Sequence, residues 1–403
     1  MKKFLAIVLT VVMVLSLASF ASAEGFSGDI KIWVADKAVD FTVNQVETFK
    51  AAHPEYAGMT VTVEAVGEGD AANKVITDVE SAADIYGFAQ DQLGRLVQAA
   101  AIEVVEEENA KKVEAENDPG SVSAVKVGGV MYAYPMTSDN GYFLYYDKSV
   151  VTDPTDLDKI LADCAAAGKS FYFEVNSGWY QVAFFFAQGC ELTYETDNEG
   201  AYTKLNTDYA SDKGVAALKS MIKMAKSPAY QNGSSLSTAT NVGAIVDGVW
   251  DAGAAKELFG ENYAATKLPV ADGVQLSGFG GFKMLGVKPQ TDDAKLAACD
   301  ALAAYLTSEE VQLARFMDPN LQWGPSNLNA QQNEAVKADV ALSALGAQLA
   351  YTIPQGQYPS GYWTTATGLG DDILAHKLDD ADDAALLEVL KTFVANCEAA
   401  MNQ

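Results

Sequence analysis

The chain reads as an α/β protein of two bodies, each a mostly parallel sheet flanked by helices. Three observations carry this. At 403 residues the chain is longer than one hydrophobic core usually serves. Its first stretch alternates strand and helix three times, the pattern of a parallel, doubly wound sheet. A fresh run of strands and helices then starts near Met136, after Tyr134-Pro135.

The organising stretch is Asp84-Ile85-Tyr86-Gly87-Phe88-Ala89-Gln90-Asp91-Gln92-Leu93-Gly94. It opens as a short apolar run, breaks at Gly87 and Phe88, and takes up a helical period from Asp91 with Leu93, Leu96, Val97 and Ala100 on one face. That is a buried strand, a short loop and an amphipathic helix. Ligands of open α/β sheets sit at the carboxyl ends of such strands, where this chain places an aromatic ring, Phe88, and a carboxylate, Asp91. Taken alone, the stretch reads more simply as a core phenylalanine and an aspartate N-cap.

Upstream, Ile30–Ala35 is a strand leading into Asp36-Lys37. A helix over Phe41–Ala52 follows, with Val43, Val46 and Phe49 inward. Met59–Ala65 alternates as a second strand, and Asp70 or Asn73 caps the next helix. Glu106–Asp118 reads as a solvated acidic helix and Val127-Gly128-Gly129-Val130 as a hairpin turn. Tyr142–Tyr146 is an aromatic strand, Leu157–Cys164 a helix stopped by Gly168, and Phe171–Val175 a strand. Trp179 opens a phenylalanine-rich helix. Thr196–Gly200 lacks the alternating ligands and closing glutamate of a calcium loop, so it reads as a hairpin turn. Gly243–Asp247 is a strand whose following helix opens at Gly248-Val249-Trp250-Asp251. The glycines of Gly278-Phe279-Gly280-Gly281 suit a passage between two bodies that move. Thr307-Ser308-Glu309-Glu310 matches a capping box. Trp363 begins a late helix, and Asp379–Asp383 places favourable charge at the start of the last one.

The N-terminus has the form of a secretory signal: Lys2-Lys3, an apolar run Phe4–Phe20, then Ala21-Ser22-Ala23. Cleavage is expected after Ala23, with no lipid-anchor cysteine nearby, which puts the protein in the periplasm or on the outer face of the cytoplasmic membrane. The remaining 380 residues carry a net charge of −29 against −27 for the whole chain, because the first 23 residues hold two lysines and no acid. Such a surface argues against nucleic acid and anionic membranes. Cys164, Cys190, Cys299 and Cys397 are far apart, and three of them fall on apolar helix faces, as buried thiols do. Two histidines, His53 and His376, give little material for a zinc or copper centre. No cofactor is expected, and no Walker A loop, HExxH, GxSxG or strand-linked GxGxxG occurs.

What recurs is a pattern at element junctions. Phe88, Trp179, Trp250 and Trp363 each flank a loop or helix start, while Asp36, Lys37, Asp91 and Asp139 lie at strand ends. Aromatic platforms with interspersed hydroxyl acceptors are what a carbohydrate cleft requires. Asp91 and Asp139 could also be the carboxylate pair of a secreted glycoside hydrolase, and a surface adhesin is a third class.

On these residues the chain resembles the extracellular solute-binding proteins of bacterial ABC sugar importers, most closely those for maltose and maltodextrin. The anchors are Lys31-Ile32-Trp33 with Asp36-Lys37, Asp84–Asp91, Tyr134-Pro135, Asp247-Gly248-Val249-Trp250, Leu268-Pro269, and Ile353-Pro354-Gln355 with Trp363. The resemblance implies a two-lobed type II periplasmic-binding-protein fold. Residues 24–137 and 282–325 would form one lobe, 138–281 and 326–403 the other, joined by a hinge. It implies maltodextrin, or another oligosaccharide, bound between the lobes, delivery to membrane permease subunits, a monomer, and no catalysis. By position, Asp36 and Lys37 would bind hydroxyls and Phe88 would stand where the family stacks a tryptophan. Asp91 would be a hydroxyl-binding carboxylate and Asp139 a hinge-side acid. Trp179, Trp250 and Trp363 would be the second lobe's platforms, with Asp70 a rim contact. Gln92, Ser177 and Thr367 stand where the family has charged residues, which bears on linkage and chain-length preference.

Overall fold

The structure, a computed structural model, describes residues 25–197 and 201–402. The expected signal segment and its cleavage site lie outside the described residues, as does the tip of the hairpin joining Leu192–Thr196 to Tyr202–Thr207.

Two five-stranded sheets form the frame. The first runs in the order Thr60–Ala65, Asp29–Val34, Ile85–Ala89, Lys283–Val287, Ala133–Thr137. Its first three strands are parallel, and Lys283–Val287 runs against both neighbours. The second runs Tyr230–Gln231, Ser170–Tyr172, Val242–Gly248, Tyr142–Asp147, Tyr263–Thr266. Here too the first three are parallel, and the fourth strand, Tyr142–Asp147, is reversed. The two sheets therefore repeat one topology. The central strands Ile85–Ala89, Lys283–Val287 and Val242–Gly248 are buried along nearly their whole length and read as nearly continuous apolar runs, whereas the edge strand Thr60–Ala65 alternates and is largely exposed.

The chain passes between the frames three times. It leaves the first sheet at Thr137 and enters the second at Tyr142. It returns through Gly278–Gly280 to Lys283. After the helix Glu309–Met317 it crosses again to Val340–Leu349, whose Ala341, Ala344 and Leu345 pack on Phe143 and Tyr145. The passages are tied together: Ser138 N–H donates to Gly324 O (3.1 Å), Asn140 N–H to Gly281 O (3.1 Å), and Gln355 N–H to Gly280 O (2.9 Å).

Local expectations mostly meet the backbone where propensity and burial agree. Gly128 and Gly129 take φ of 58° and 84° in the turn between Lys126–Val127 and Val130–Met131, which side chains with a Cβ rarely adopt. The acidic run Asp379–Asp383 includes the N-cap Asp382, whose carboxylate accepts from Ala385 N–H at 2.8 Å. Two details differ. The helix Val39–Ala52 buries Phe41, Thr42, Val46 and Phe49, while Val43 is exposed, because a 3.6-residue stripe through 42, 46 and 49 turns residue 43 outward. The helix near Thr307 is capped by Ser308 onto Val311 N–H (3.4 Å), one residue past the capping-box match.

All four cysteines are buried and unpaired, and burial pushes each thiol up to about 12. Native protein at pH 8 should therefore leave a thiol reagent unconsumed, and unfolding in denaturant should release four equivalents. Fewer than four after unfolding would reveal a bridge.

Candidate functional site

Three strands end in the same device. Asp29–Val34 runs into a 3-10 turn at Asp36–Ala38, Ile85–Ala89 into one at Gln90–Gln92, and Val242–Gly248 into one at Val249–Asp251. Each turn stops the strand abruptly and projects its residues beyond the carboxyl edge of a sheet. Edges of the two frames face each other across a cavity of about 940 Å3, within the range of small-ligand sites.

Of the eight residues singled out in the sequence, six line this cavity: Asp36, Lys37, Asp91, Trp179, Trp250 and Trp363. Trp179 is held by an N–H bond to Gln355 Oε1 (3.1 Å) and by edge contacts to Tyr142 and Tyr180 with centroids 4.7 and 5.0 Å away. Its ring stands 5.8 Å from Trp250 at 45°, so the two indoles form a corner. Trp363 is backed by Tyr358 and Tyr362 at 5.4 and 4.8 Å. Asp91 is 5% exposed, and burial pushes its carboxyl up to about 7, only partly offset by its own backbone N–H and by Arg95.

Lys37 does more than line its own side. Its ammonium pairs with the Asp251 carboxylate and donates to Trp250 O at 3.2 Å, both on the opposite frame. Elsewhere between the frames, Gln357 accepts from Gly94 N–H and donates to Gln90 O, each at 2.8 Å. The two frames thus meet at two places besides the passages of the chain.

The other two residues lie elsewhere. Phe88 is fully buried in the first core, 5.7 Å from the Tyr86 ring. Strand alternation sets residue 88 beside residue 86, and the cavity wall begins one residue later, at Ala89. Phe88 is therefore no stacking platform. Asp139 is 1% exposed and off the cavity wall. Its Oδ2 accepts from Gly324 N–H, joining two of the passages between the frames. Burial raises its pKa, and Lys283 acts against that rise.

The positions of the departures are also clear. Gln92 is buried, accepting from Ala72 N–H (3.2 Å) and donating to the carbonyls of Glu68 (2.8 Å) and Gly69 (3.0 Å). It pins the wall loop that carries Asp70. Ser177 and Thr367 line the cavity as expected from their places. Wall residues that sequence reasoning missed include Glu68, Arg95, Glu174, Lys283 and Trp323, while Gln355 had entered only as part of the Ile353-Pro354-Gln355 anchor. Only Lys283 left a trace, a cation opening an otherwise apolar strand. Among the described residues no cluster of His, Cys, Asp and Glu could hold a metal, and no helix is long and apolar enough to cross a membrane.

The profile of the bacterial extracellular solute-binding proteins matches residues 44–344. The chain belongs to this family. Its relatives are solute-binding proteins rather than enzymes, and the family is extracellular. It is 23% identical over 393 residues to a maltotriose-binding protein of Pyrococcus abyssi (strain GE5 / Orsay), spanning 92% of this chain and 82% of that one. A solved chain with acarbose is 28% identical, with a TM-score of 0.81 over 93% of this chain and 99% of that one. The ligand-free maltodextrin-binding protein of L. casei BL23 is 23% identical with a TM-score of 0.75, covering 93% and 99%. The solute-binding protein described here thus has the type II fold, with its cavity between two lobes.

Proposed function

We propose that this solute-binding protein captures maltose or maltodextrin between its lobes and delivers it to the permease of an ABC importer. The observation that carries the reading is one cavity walled by four indoles, Trp179, Trp250, Trp323 and Trp363, together with carboxylates at strand ends. Indole faces cover the apolar C–H face of a glucosyl ring, and carboxylates accept from its hydroxyls. The names of the relatives point the same way. We take residues 24–137 with 282–325 as one lobe and 138–281 with 326–403 as the other, the mature chain beginning after Ala23 and acting as a monomer. Aspartates 36 and 91 bind hydroxyls. Lys37 alternates between sugar and Asp251, and Asp139 holds the hinge. A glycosidase reading is weakened because Asp139 does not share the cavity with Asp91.

Because Lys37 and Gln357 reach across the cleft, ligand contacts from both lobes exist together only when it is closed. A sugar shifts the balance by its differential affinity for that state. Titration calorimetry of residues 24–403 should give one-to-one binding of maltose, maltotriose or longer maltodextrins at about 1 μM, with sugar recovered intact. Xylo- and cello-oligosaccharides serve as controls. Small-angle scattering should show compaction on saturation. Cleaved product would place the hydrolase first, and binding without compaction would remove the hinge mechanism.

A further inference from the structure

Lys283 is the least accounted-for group on the cavity wall. It is the first residue of the reversed strand in the first sheet, paired with Ala89 on one side and Thr137 on the other, and therefore sits at the cleft floor beside the passages between lobes. It is 8% exposed. Its ammonium lies 5.0 Å from the ring centroid of Trp250 and 4.7 Å from that of Trp323, an indole 3% exposed on the same wall. Two indole faces hold a cation in place but accept none of its N–H groups conventionally. Among the described residues, none makes a hydrogen bond or an ion pair with this nitrogen. Asp139 balances its charge at longer range. A lysine ammonium carries three donors, and here they are not sealed in the core but open into the cavity, where the oxygens of a ligand can take the place of water.

The rest of the wall says what meets them. Carboxylates outnumber cations on it by five to three, which repels an anionic ligand and leaves neutral hydroxyl and ether oxygens as the acceptors. Resting on the sugar-binding reading above, we infer that Lys283, clamped between Trp250 and Trp323, is a specificity-determining donor to the hydroxyl oxygens of the sugar unit at the cleft floor. The clamp fixes the nitrogen, so the donor selects which ring hydroxyls the floor accepts. A freely rotating surface lysine would not discriminate in this way.

The test is a cycle of protein variant against deoxy sugar, read by calorimetry. Lys283→Met keeps an apolar stem between the indoles and removes the donors. It should bind the intact sugar about tenfold to a hundredfold more weakly, the scale of a hydrogen bond to a charged group. A monodeoxy maltose lacking the contacted hydroxyl should lose affinity for the wild type and lose little more for Lys283→Met. Unchanged affinity in the variant overturns the inference. So does a loss that is the same for every deoxy sugar, because that marks Lys283 as mere support for the two indoles. If the methionine variant fails to fold by thermal melt, Lys283→Arg keeps the charge and moves the donors. An unaltered ranking of deoxy sugars by that variant overturns the inference as well. Wild-type protein binding only a non-maltodextrin oligosaccharide, with Lys283→Met impaired, supports the donor and corrects the substrate. Wild-type protein binding no neutral oligosaccharide removes the sugar-binding reading and this inference with it.

Discussion

Trp250→Ala should weaken sugar binding by about 1–3 kcal/mol, tenfold to more than a hundredfold, while the protein stays folded. The magnitude is that of losing a half-buried aromatic contact. Three features make Trp250 the most exposed to such a change. Its ring forms a corner with Trp179, it is one of the two faces over Lys283, and its carbonyl accepts from Lys37. Truncation removes the first two and leaves the third, so loss should appear in ligand affinity more than in melting temperature. Gly248 offers an independent approach. A Cβ there would fall 2.1 Å from the Trp250 ring, while its φ of −111° suits any residue. Gly248→Ala should therefore push the indole aside and reproduce much of the loss with every tryptophan still present. Calorimetry with a parallel thermal melt separates the outcomes. Unchanged affinity in both variants would mean that sugar does not touch this ring, and unfolding of Trp250→Ala would make it core.

The second large effect is on pH. Burial holds the Asp91 carboxyl near 7 without ligand, so at pH 6 it is mostly protonated and at pH 8 mostly ionised. A sugar hydroxyl donating to this group binds the ionised form better, so binding lowers its pKa and releases a proton. By linkage, affinity rises with pH below about 7, by at most tenfold per unit, and levels off above it. Calorimetry from pH 5 to 8 in two buffers of different ionisation enthalpy reads both the slope and the proton count. Asp91→Asn should bind weakly and show a flat profile. Affinity falling as pH rises through the same range would exclude Asp91 as the acceptor.

Much of the site was legible because it sits where strands stop. Asp36, Asp91 and Trp250 are each signalled by an apolar run that breaks at a definite residue, and the 3-10 turns stand at those breaks. Phe88 was misplaced for a related reason. The strand Ile85–Ala89 is buried on both faces, so no polar alternation marks which side chains point to the core. Trp323 lies in the irregular stretch between Met317 and Leu328, where no period exists to read. Lys37 was visible as a cleft residue, but its partner Asp251 is 214 positions away on the other frame. Such a pair emerges only from the packing of two sheets, never from local pattern.

The reversed strand Lys283–Val287 has a kinetic consequence. It fills the gap between Ile85–Ala89 and Ala133–Thr137, yet it follows the whole of the second sheet in the chain. The first sheet stays split until residue 287 has been made, and closing that loop late carries an entropic cost paid before any contact rewards it. This connectivity predicts slow acquisition of the native state. Refolding from denaturant should therefore be limited by the docking of Lys283–Val287 between its two neighbouring strands.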